Sequence, residues 1–373
     1  MIRSGRTLLF LLPLFVLGGV CRPTMFAGDP RLSDLQLPAG FHVAVFAELK
    51  NPRGMSLGPD GTIYVGSRDA GAVYALRDED GDGIAEKSYT LTTGLDMPVG
   101  VAFHDGDLYV SAVSRIVKLP DIGEHLADPP DPVVVYDKFP TETHHGWKYI
   151  AFGPDGKLYV PVGAPCNICL SEDSIFASIA RMNADGTGLE IVAHGVRNTV
   201  GFDWDPKDGT LWFTENGRDW MGDDMPSCEL DHLTARGQHF GYPFCHQGDT
   251  LDPEFGKGHS CADYVPPVAK LGAHVAPLGM KFYRGSMFPQ RYQRAIFIAE
   301  HGSWNRSTPV GYRLDVAFPQ PDGTMRTEVF ADGWLKGNTA WGRPVDVLEQ
   351  PDGSLLVSDD AAGLIYRITY TAP

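Results

Sequence analysis

The stretch Phe152–Val160, which reads FGPDGKLYV, shows most clearly the pattern from which the fold of this chain can be predicted. An apolar residue leads into Pro-Asp-Gly, and apolar residues then recur at the two-residue period of a β-strand. Asp-Gly between alternating apolar runs is the strongest short signal for a β-hairpin. The stretch therefore predicts an antiparallel hairpin with a tight turn at Asp155 and Gly156.

The same pattern recurs along the chain. Its other copies are Ser56–Val65, Ala102–Val110, Trp204–Trp212, Phe288–Ile298 and Leu348–Val357. Six copies spaced by roughly 45 to 60 residues, with one wider gap, match one four-stranded sheet per repeat. We predict an all-β, six-bladed β-propeller that forms a single domain over residues 38–370. The strand Phe41–Phe46 has no local partner, and we expect it to close the ring against Gly363–Ile368.

The wider gap lies between Trp212 and Phe297 and lacks sustained periodicity. Long irregular segments inside a compact domain are usually functional. We therefore predict a long loop insertion between the fourth and fifth blade motifs, which covers one face of the propeller.

The composition is that of a globular protein, with 43% hydrophobic and 21% charged residues. The net charge of −16 argues against nucleic acid as a partner, because phosphate contacts need a basic face. An anionic ligand would have to be held by a local cluster of arginines within this acidic background.

The N-terminus has two arginines followed by the apolar run Leu8–Val20, which is typical of a secretory signal peptide. We assign residues 1–27 to this signal, with cleavage between Cys21 and Gly28. The run is shorter than the about 20 apolar residues that span a membrane. We expect a periplasmic or secreted protein without a membrane span, and lipid anchoring through Cys21 is an alternative.

Cysteines are compatible with this exported setting. Cys166 and Cys169 have the spacing of a metal or redox pair, and a local disulfide is the alternative. No second such pair follows in the chain, which favours the disulfide.

Polar residues stand immediately before several of the repeated strands. Thr143–Lys148 (THHGWK) precedes the third copy, Arg197 and Asn198 precede the fourth, and Arg343 precedes the sixth. Equivalent strand ends of a propeller converge on its central channel, so these side chains could meet one ligand. Arginine is suited to a bidentate grip on a carboxylate. Each stretch alone could equally be a solvated loop.

Four motifs in this order resemble the glucose/sorbosone dehydrogenase family. They are HGWK before GPDGKLYV, GVRN, LWFTENG and GRPVDV, and the resemblance spans roughly Pro38 to Thr369. The family consists of soluble six-bladed propeller quinoproteins that use pyrroloquinoline quinone (PQQ). Glu300–Arg306 (EHGSWNR) and Pro165–Cys169 (PCNIC) look most like the L-sorbosone dehydrogenase branch.

The resemblance implies a PQQ- and Ca²⁺-dependent oxidoreductase that acts on a sugar or a sugar-derived aldehyde or alcohol. It implies His145 as the base that takes the substrate proton while hydride passes to the quinone. The implied cofactor ligands are Arg197, Asn198 and Arg343, and the implied Ca²⁺ ligands are the backbone carbonyls of Gly217 and Arg218. Electrons would leave to a periplasmic acceptor, a cytochrome or a quinone.

The chain also departs from the family pattern. Val345 replaces a second cofactor arginine, and the missing contact would come from Arg306 or Lys336. The family often has an Asp that orients the catalytic histidine, whereas this chain has Ala164 and Pro165. The orienting group for His145 is therefore left open.

A possible second Ca²⁺ site is a structural one at Asp78, Asp80 and Asp82, which alternate as in a Ca²⁺-binding loop. Tyr89 stands where such a loop needs its bidentate carboxylate, so a polar hairpin tip is the alternative.

Two other functions compete with the oxidoreductase. One is a non-catalytic, ligand-binding propeller, which the departures favour. The other is a Ca²⁺-dependent propeller lactonase, which would need side-chain carboxylates at the centre of the channel.

Overall fold

The computed structural model of the protein describes residue 1, residues 28–321 and residues 323–372. The predicted signal peptide lies outside the described residues, apart from Met1. Within this part of the chain, the helical segments are short 3₁₀ helices at Pro30–Asp34, Ile122–Glu124, Cys261–Asp263 and Gln290–Tyr292. None of the described helices is long and apolar enough to cross a membrane.

The first three blades follow one another in chain order after the strand β1 (Phe41–Glu48). Blade one consists of β2 (Pro52–Leu57), β3 (Ile63–Ser67), β4 (Ala72–Arg77) and β5 (Lys87–Thr93). Blade two consists of β6 (Val101–His104), β7 (Asp107–Ser111), β8 (Ile116–Leu119) and β9 (Val133–Tyr136). Blade three consists of β10 (Ala151–Phe152), β11 (Leu158–Val162), β12 (Ser178–Met182) and β13 (Glu190–His194).

Blade four begins with β14 (Phe202–Trp204), β15 (Leu211–Glu215) and β16 (Ser227–Leu233). The chain then passes through β17 (Gln238–His239), β18 (Cys245–His246) and β19 (Thr250–Leu251) before the last strand of the blade, β20 (Ala269–Ala273). Blade five consists of β21 (Pro277–Phe282), β22 (Ile296–Glu300), β23 (Arg313–Pro319) and β24 (Met325–Ala331). After a small hairpin of β25 (Leu335–Lys336) and β26 (Thr339–Ala340), blade six contains β27 (Pro344–Glu349), β28 (Leu355–Asp359) and β29 (Leu364–Tyr370).

The predicted six-bladed propeller is confirmed, and so is its closure. β1 pairs antiparallel with β29, from Phe41 opposite Tyr370 to Glu48 opposite Leu364. The outermost strand of blade six therefore comes from the start of the propeller, and its three inner strands come from the end. This pairing joins the two ends of the ring through backbone hydrogen bonds.

The repeated Pro-Asp-Gly turns connect the first and second strands of the blades. In the third copy of the pattern, Gly156 has φ 72° between β10 and β11. A left-handed conformation there is available to glycine without the steric cost that a Cβ brings. Beyond the turn, apolar side chains of adjacent blades pack together, as where Phe202 of blade four meets Tyr149 edge-on at a ring distance of 4.9 Å.

The predicted insertion lies inside blade four, between β16 and β20. Its strand β17 pairs in parallel with β13, so the insertion adds a fifth strand to blade three. A disulfide between Cys245 and Cys261 closes the loop that carries β18 and β19. The insertion therefore bridges two blades and is more than a loose connection between them.

Candidate active site

A cavity of about 270 Å³ opens at one end of the central channel. Its walls come from the beginnings of innermost strands and from residues that directly follow second strands, because these positions meet at the same end of every blade. Four arginines and a single carboxylate, Asp219, lie among the described residues that line it. The four arginines are Arg53, Arg68, Arg197 and Arg343. The cavity is therefore a cationic site in an acidic protein.

The cavity brings together most of the residues that the sequence singled out. His145, Arg197, Asn198, Gly217 and Arg343 all line it, although they come from blades three, four and six. The convergence follows from the propeller geometry, since each stands at the same end of its blade.

Arg218 and Arg306 are directed away from this cavity. Arg218 donates from Nη1 to Oδ2 of Asp252 at 2.5 Å, in the insertion. Arg306 donates from Nη1 to the backbone oxygen of Asp223 at 2.7 Å. The side chains of these two arginines thus bind other parts of the protein. The backbone carbonyl of Arg218 remains next to Gly217, which lines the cavity.

The position of the replaced family arginine is apolar. Val345 is buried in a small cluster with Val200 and Leu278, against Trp147. Lys336, the other candidate for the missing contact, pairs with Asp34 instead.

Two of the arginines that line the cavity, Arg53 and Arg68, were not predicted from the sequence. Arg53 lies in β2 of blade one, and Arg68 directly follows β3. The sequence does contain a pattern that could have identified Arg53, because Pro52, Arg53 and Gly54 precede the first repeat much as Arg343 precedes the sixth. Arg53 is buried and forms an ion pair with Asp360, while Arg68 lies over the ring of Trp147 at 4.6 Å.

His145 is oriented by a backbone carbonyl. Its Nδ1 lies 2.9 Å from the oxygen of Ala164, which can only accept a hydrogen bond, so Nδ1 carries the proton. Burial and the nearby charge of Arg197 hold the pKa of His145 well below its ordinary value. The ring is therefore neutral, and Nε2 keeps a free lone pair. Ala164 thus supplies the orienting group that the sequence left open.

The backbone of Gly163 packs closely against His145. A Cβ added at Gly163 would lie 2.6 Å from the Cβ of His145, so only glycine fits at that position. His144 is exposed, with its ring 4.1 Å from that of His145, and it does not line the cavity.

Lys148 is a buried lysine that braces the same segment. Its Nζ donates to the backbone oxygens of Val113 at 2.6 Å and Gly146 at 2.7 Å. Burial lowers the pKa of this lysine to about 8. The brace ties the His145 turn of blade three to blade two.

Arg197 is fixed by the loop that Cys166 and Cys169 close. These two cysteines form a disulfide, and Cys228 is the free thiol among the described cysteines. Between them, Asn167 accepts from Nε of Arg197 through its backbone oxygen at 2.8 Å and from Nη2 through Oδ1 at 2.9 Å. The disulfide of the PCNIC stretch therefore shapes the cavity wall.

Three buried carboxylates stand behind Arg197. Glu215, Glu229 and Asp231 offer oxygens that lie within 4.8 Å of one another. Oε1 of Glu215 accepts from the backbone N of Arg197 at 2.6 Å. Burial raises the pKa of each of the three above its ordinary value. This group could not be predicted from a local sequence pattern, because its members come from two adjacent strands, β15 and β16.

Three residues that line the cavity have a buried N–H group without a hydrogen-bond partner in the described protein. Nε of Arg53, Nε of Arg68 and Nε1 of Trp147 are buried and make no hydrogen bond to the described part of the protein. Buried donors without a partner are costly, which makes them a site for acceptor groups of a ligand. His301 also lines the cavity, and burial lowers its pKa to about 4, so its neutral ring donates from Nε2 to Asp360.

The acidic loop predicted as a structural Ca²⁺ site joins β4 to β5. Oxygens of Asp78, Asp80, Asp82 and Glu86 lie within 4.8 Å of one another. Asp78 accepts hydrogen bonds from the backbone N of Gly81 and Gly83, as expected of a hairpin tip. The structural Ca²⁺ site at this loop stays a prediction.

The fold and this cavity define a six-bladed propeller with a cationic pocket at one end of its central channel. The chain belongs to the family described as a domain of unknown function, DUF7133, whose profile matches residues 29–367. An uncharacterized protein of Borreliella burgdorferi is 34% identical over 364 residues, which cover 92% of this chain and 93% of the relative.

More distant relatives carry functional names. A pyrroloquinoline quinone-dependent pyranose dehydrogenase of Coprinopsis cinerea is 32% identical over 129 residues, which cover 29% of this chain and 17% of that protein. The holo PQQ domain of a pyranose dehydrogenase from Coprinopsis cinerea superimposes with a TM-score of 0.76 at 20% identity, over 90% of this chain and 97% of that one. The calcium structure of a family AA12 carbohydrate-active enzyme from Trichoderma reesei gives 0.78 at 21% identity, over 90% and 97%. These structures share the fold of this chain.

Proposed function

We propose that the protein is a PQQ-dependent oxidoreductase that oxidises a sugar, or a sugar-derived aldehyde or alcohol, of the sorbosone or aldose type. The observation that carries the proposal is the set of unpartnered N–H donors of Arg53, Arg68 and Trp147 around a cavity that also holds His145. The pyranose dehydrogenase relative, which is named for PQQ, supports the same proposal.

The donor set of the cavity fits PQQ. The cofactor is a planar tricarboxylate, and charge-assisted hydrogen bonds from guanidinium to carboxylate are among the strongest in proteins. Arg53, Arg68 and Arg343 would hold its carboxylates, and Arg197 retains part of its donor capacity beside Asn198. When bound, PQQ supplies an ortho-quinone that accepts hydride, and Ca²⁺ supplies a Lewis acid that polarises a quinone oxygen.

Ca²⁺ would be held by oxygen ligands, the type this ion prefers. The backbone of Gly217 lines the cavity, that of Arg218 follows it, and Asp219 adds a carboxylate. Four arginines repel a bare divalent cation, so we expect Ca²⁺ to bind more tightly when the anionic cofactor is present. By thermodynamic linkage, Ca²⁺ should raise the affinity for PQQ by the same factor.

His145 would act as the general base. The bond from Nδ1 to Ala164 fixes the tautomer, so the unprotonated Nε2 is the atom that accepts the proton of the substrate hydroxyl. The lowered pKa of His145 keeps the ring neutral and ready for this role. Trp147, whose ring lies edge-on at 6.0 Å, limits the positions that the His145 ring can adopt.

The proposal includes export and an external electron acceptor. Residues 1–27 would direct the protein to the periplasm or the medium, where a cytochrome or a quinone would reoxidise the cofactor. A lactonase is disfavoured, because Asp219 is the one carboxylate among the described residues that line the cavity.

The test is reconstitution of the purified protein with PQQ and Ca²⁺. We expect quinone absorbance that stays with the protein through gel filtration. We also expect dye reduction with sorbosone, aldoses or simple alcohols as substrates. Absence of both bound quinone and turnover would refute the proposal.

Substitution of the two neighbouring histidines then separates catalysis from binding. His145→Ala should lower turnover about 10²- to 10⁴-fold, the usual contribution of a general base, and leave PQQ bound. His144→Ala is the matched control and should change turnover far less, because His144 is exposed outside the cavity. Equal losses in the two variants would contradict the role of His145.

A further inference from the structure

Two tryptophans stand exposed at the mouth of the cavity. Trp220 and Trp304 are 67% and 68% exposed, and their rings meet edge to face at 5.5 Å. Trp304 lines the cavity, and Trp220 directly follows Asp219, which also lines it. Because most of their apolar surface stays in water, burial in the core does not explain why these two positions hold tryptophan. They are therefore candidates for contact with a ligand.

The loop that carries Trp220 is held in a costly conformation. Trp220 has φ 68°, in the left-handed region that bulky side chains avoid. Asn167 fixes the preceding residue on both sides, since its Oδ1 accepts from Asp219 N at 2.8 Å and its Nδ2 donates to Asp219 O at 3.1 Å. Local strain that the surroundings maintain at an exposed residue is characteristic of functional sites.

Arg306 joins this loop to the one that carries Trp304. Its guanidinium donates to the backbone oxygen of Asp223 at 2.7 Å and to Oδ1 of Asp224 at 3.1 Å. The backbone N of Ser307 adds a bond to Oδ1 of Asp223 at 3.1 Å. These bonds fix the two indoles relative to each other before any ligand arrives, which lowers the entropic cost of binding.

We propose that Trp220 and Trp304 form an aromatic rim that stacks against the ring of a pyranose substrate. The inference rests on the proposed function and names the substrate class. The face of an indole is electronegative, and the C–H groups on one face of a sugar ring are its natural partners. His274, which lines the cavity beside the rim, would bind a hydroxyl group.

The size of the cavity places the sugar at the rim. Small-molecule pockets typically measure about 300–1,000 Å³, and this cavity of about 270 Å³ lies just below that range, so it is too small to enclose the cofactor and a sugar together. With the cofactor inside, the substrate lies at the mouth, where the rim begins. The rim therefore favours cyclic pyranoses and short oligosaccharides over acyclic aldehydes and polyols.

The direct test is NMR of the indole N–H groups in ¹⁵N-labelled protein, with and without PQQ and Ca²⁺ and without an electron acceptor. The resonances of Trp220 and Trp304 are assigned by their loss in Trp220→Ala and Trp304→Ala. We expect both to shift and saturate with methyl glucopyranoside, and to stay in place with sorbitol at equal concentration. Absence of a shift in both states of the protein, or an equal shift with sorbitol, would overturn the inference.

Kinetics supply the second readout. Trp220→Ala and Trp304→Ala should raise KM for pyranoses at least tenfold with kcat within twofold, and Trp304→Phe should restore most of the loss. Val329→Ala, which truncates an exposed side chain on β24, is the control and should change neither constant. If the tryptophan variants slow only the reduction of a protein acceptor, the rim is a docking surface for that acceptor and the inference fails. Indole shifts without PQQ binding or turnover would refute the proposed function and support the rim.

Discussion

His145 is held by the backbone oxygen of Ala164, where the resemblance suggested a carboxylate. A carboxylate beside the ring would stabilise the imidazolium and raise its pKa, whereas a neutral carbonyl does so much less. Burial and the charge of Arg197 therefore outweigh the hydrogen bond to Ala164, and the pKa of His145 stays well below its ordinary value. The carbonyl therefore leaves the base neutral at neutral pH.

The arginines of the cavity give the first prediction at this scale. Arg68→Met removes a cation whose Nε lacks a hydrogen-bond partner in the described protein, and we expect affinity for PQQ to fall about 10- to 100-fold. Arg306→Met should leave that affinity unchanged, because Arg306 is bonded to Asp223 and Asp224. Fluorescence titration of the apoprotein with PQQ measures both. A loss in the Arg306 variant as large as in the Arg68 variant would contradict this assignment.

The site was partly predictable because strand ends converge in a propeller. The position of each residue relative to the repeated strand that follows it was enough to predict that His145, Arg197 and Arg343 lie at one end of the channel. Arg53 was missed although it has the same register, because no resemblance pointed to it. The direction of Arg306 could not be predicted, since it depends on Asp223 and Asp224 in a loop without periodicity.

At the scale of elements, the segment before β10 holds the catalytic candidate and is anchored to blade two. Ser111 Oγ of β7 donates to the backbone oxygen of Lys148 at 2.7 Å, and the side chain of Lys148 reaches back to Val113 and Gly146. A neutral amine still has two N–H groups, which is enough for both carbonyls. Deprotonation of Lys148 thus removes a buried charge without breaking the brace.

This arrangement predicts how stability depends on pH. The pKa of Lys148 is about 8 in the folded protein and about 10.4 in an unfolded chain, so between these values the unfolded state binds more protons. The contribution of this residue to stability therefore rises with pH across that window, by on the order of 3 kcal/mol in total. Lys148→Met should abolish this gain.

Urea unfolding at pH 7.5 and 9.5 checks the prediction. The free energy of unfolding of the natural protein, relative to that of Lys148→Met, should be greater at pH 9.5 by on the order of 2 kcal/mol. A difference that is constant or falls with pH would show that Lys148 is not buried as a charge.

The blades were predictable as elements, and the details of the insertion were not. Asp-Gly turns between alternating residues specify hairpins locally, and five of the six predicted copies lie at the first two strands of a blade, whereas Phe288–Ile298 begins in the loop after β21 and runs into β22. β17 contains only Gln238 and His239, and its pairing with β13 is a long-range parallel contact that no short pattern encodes. A parallel pair of two residues depends on its surroundings rather than on its own sequence.

At the scale of the whole molecule, Phe41 secures the junction between blades five and six. Its ring lies 4.8 Å from Phe288, 4.9 Å from Phe330 and 4.9 Å from Tyr370. The residue belongs to β1, so the apolar core that it enters contains side chains from both ends of the ring.

We expect Phe41→Ala to lower the free energy of unfolding by about 3–5 kcal/mol, the usual cost of truncating a buried aromatic side chain. Val43→Ala on the same strand is the control and should cost about 1 kcal/mol, because Val43 is only half-buried. Chemical denaturation measures both. Similar losses in the two variants would show that Phe41 does not secure the junction.

The pairing of β1 with β29 also sets the order in which the molecule can be completed. The ribosome makes β1 first and β29 last, so blade six cannot assemble until synthesis of the propeller has ended. The cavity takes Arg53 from blade one and Arg343 from the start of blade six, and it cannot close before that moment. A propeller that still lacks β29 thus has an incomplete cavity, and only the closed ring brings together all the residues that line it.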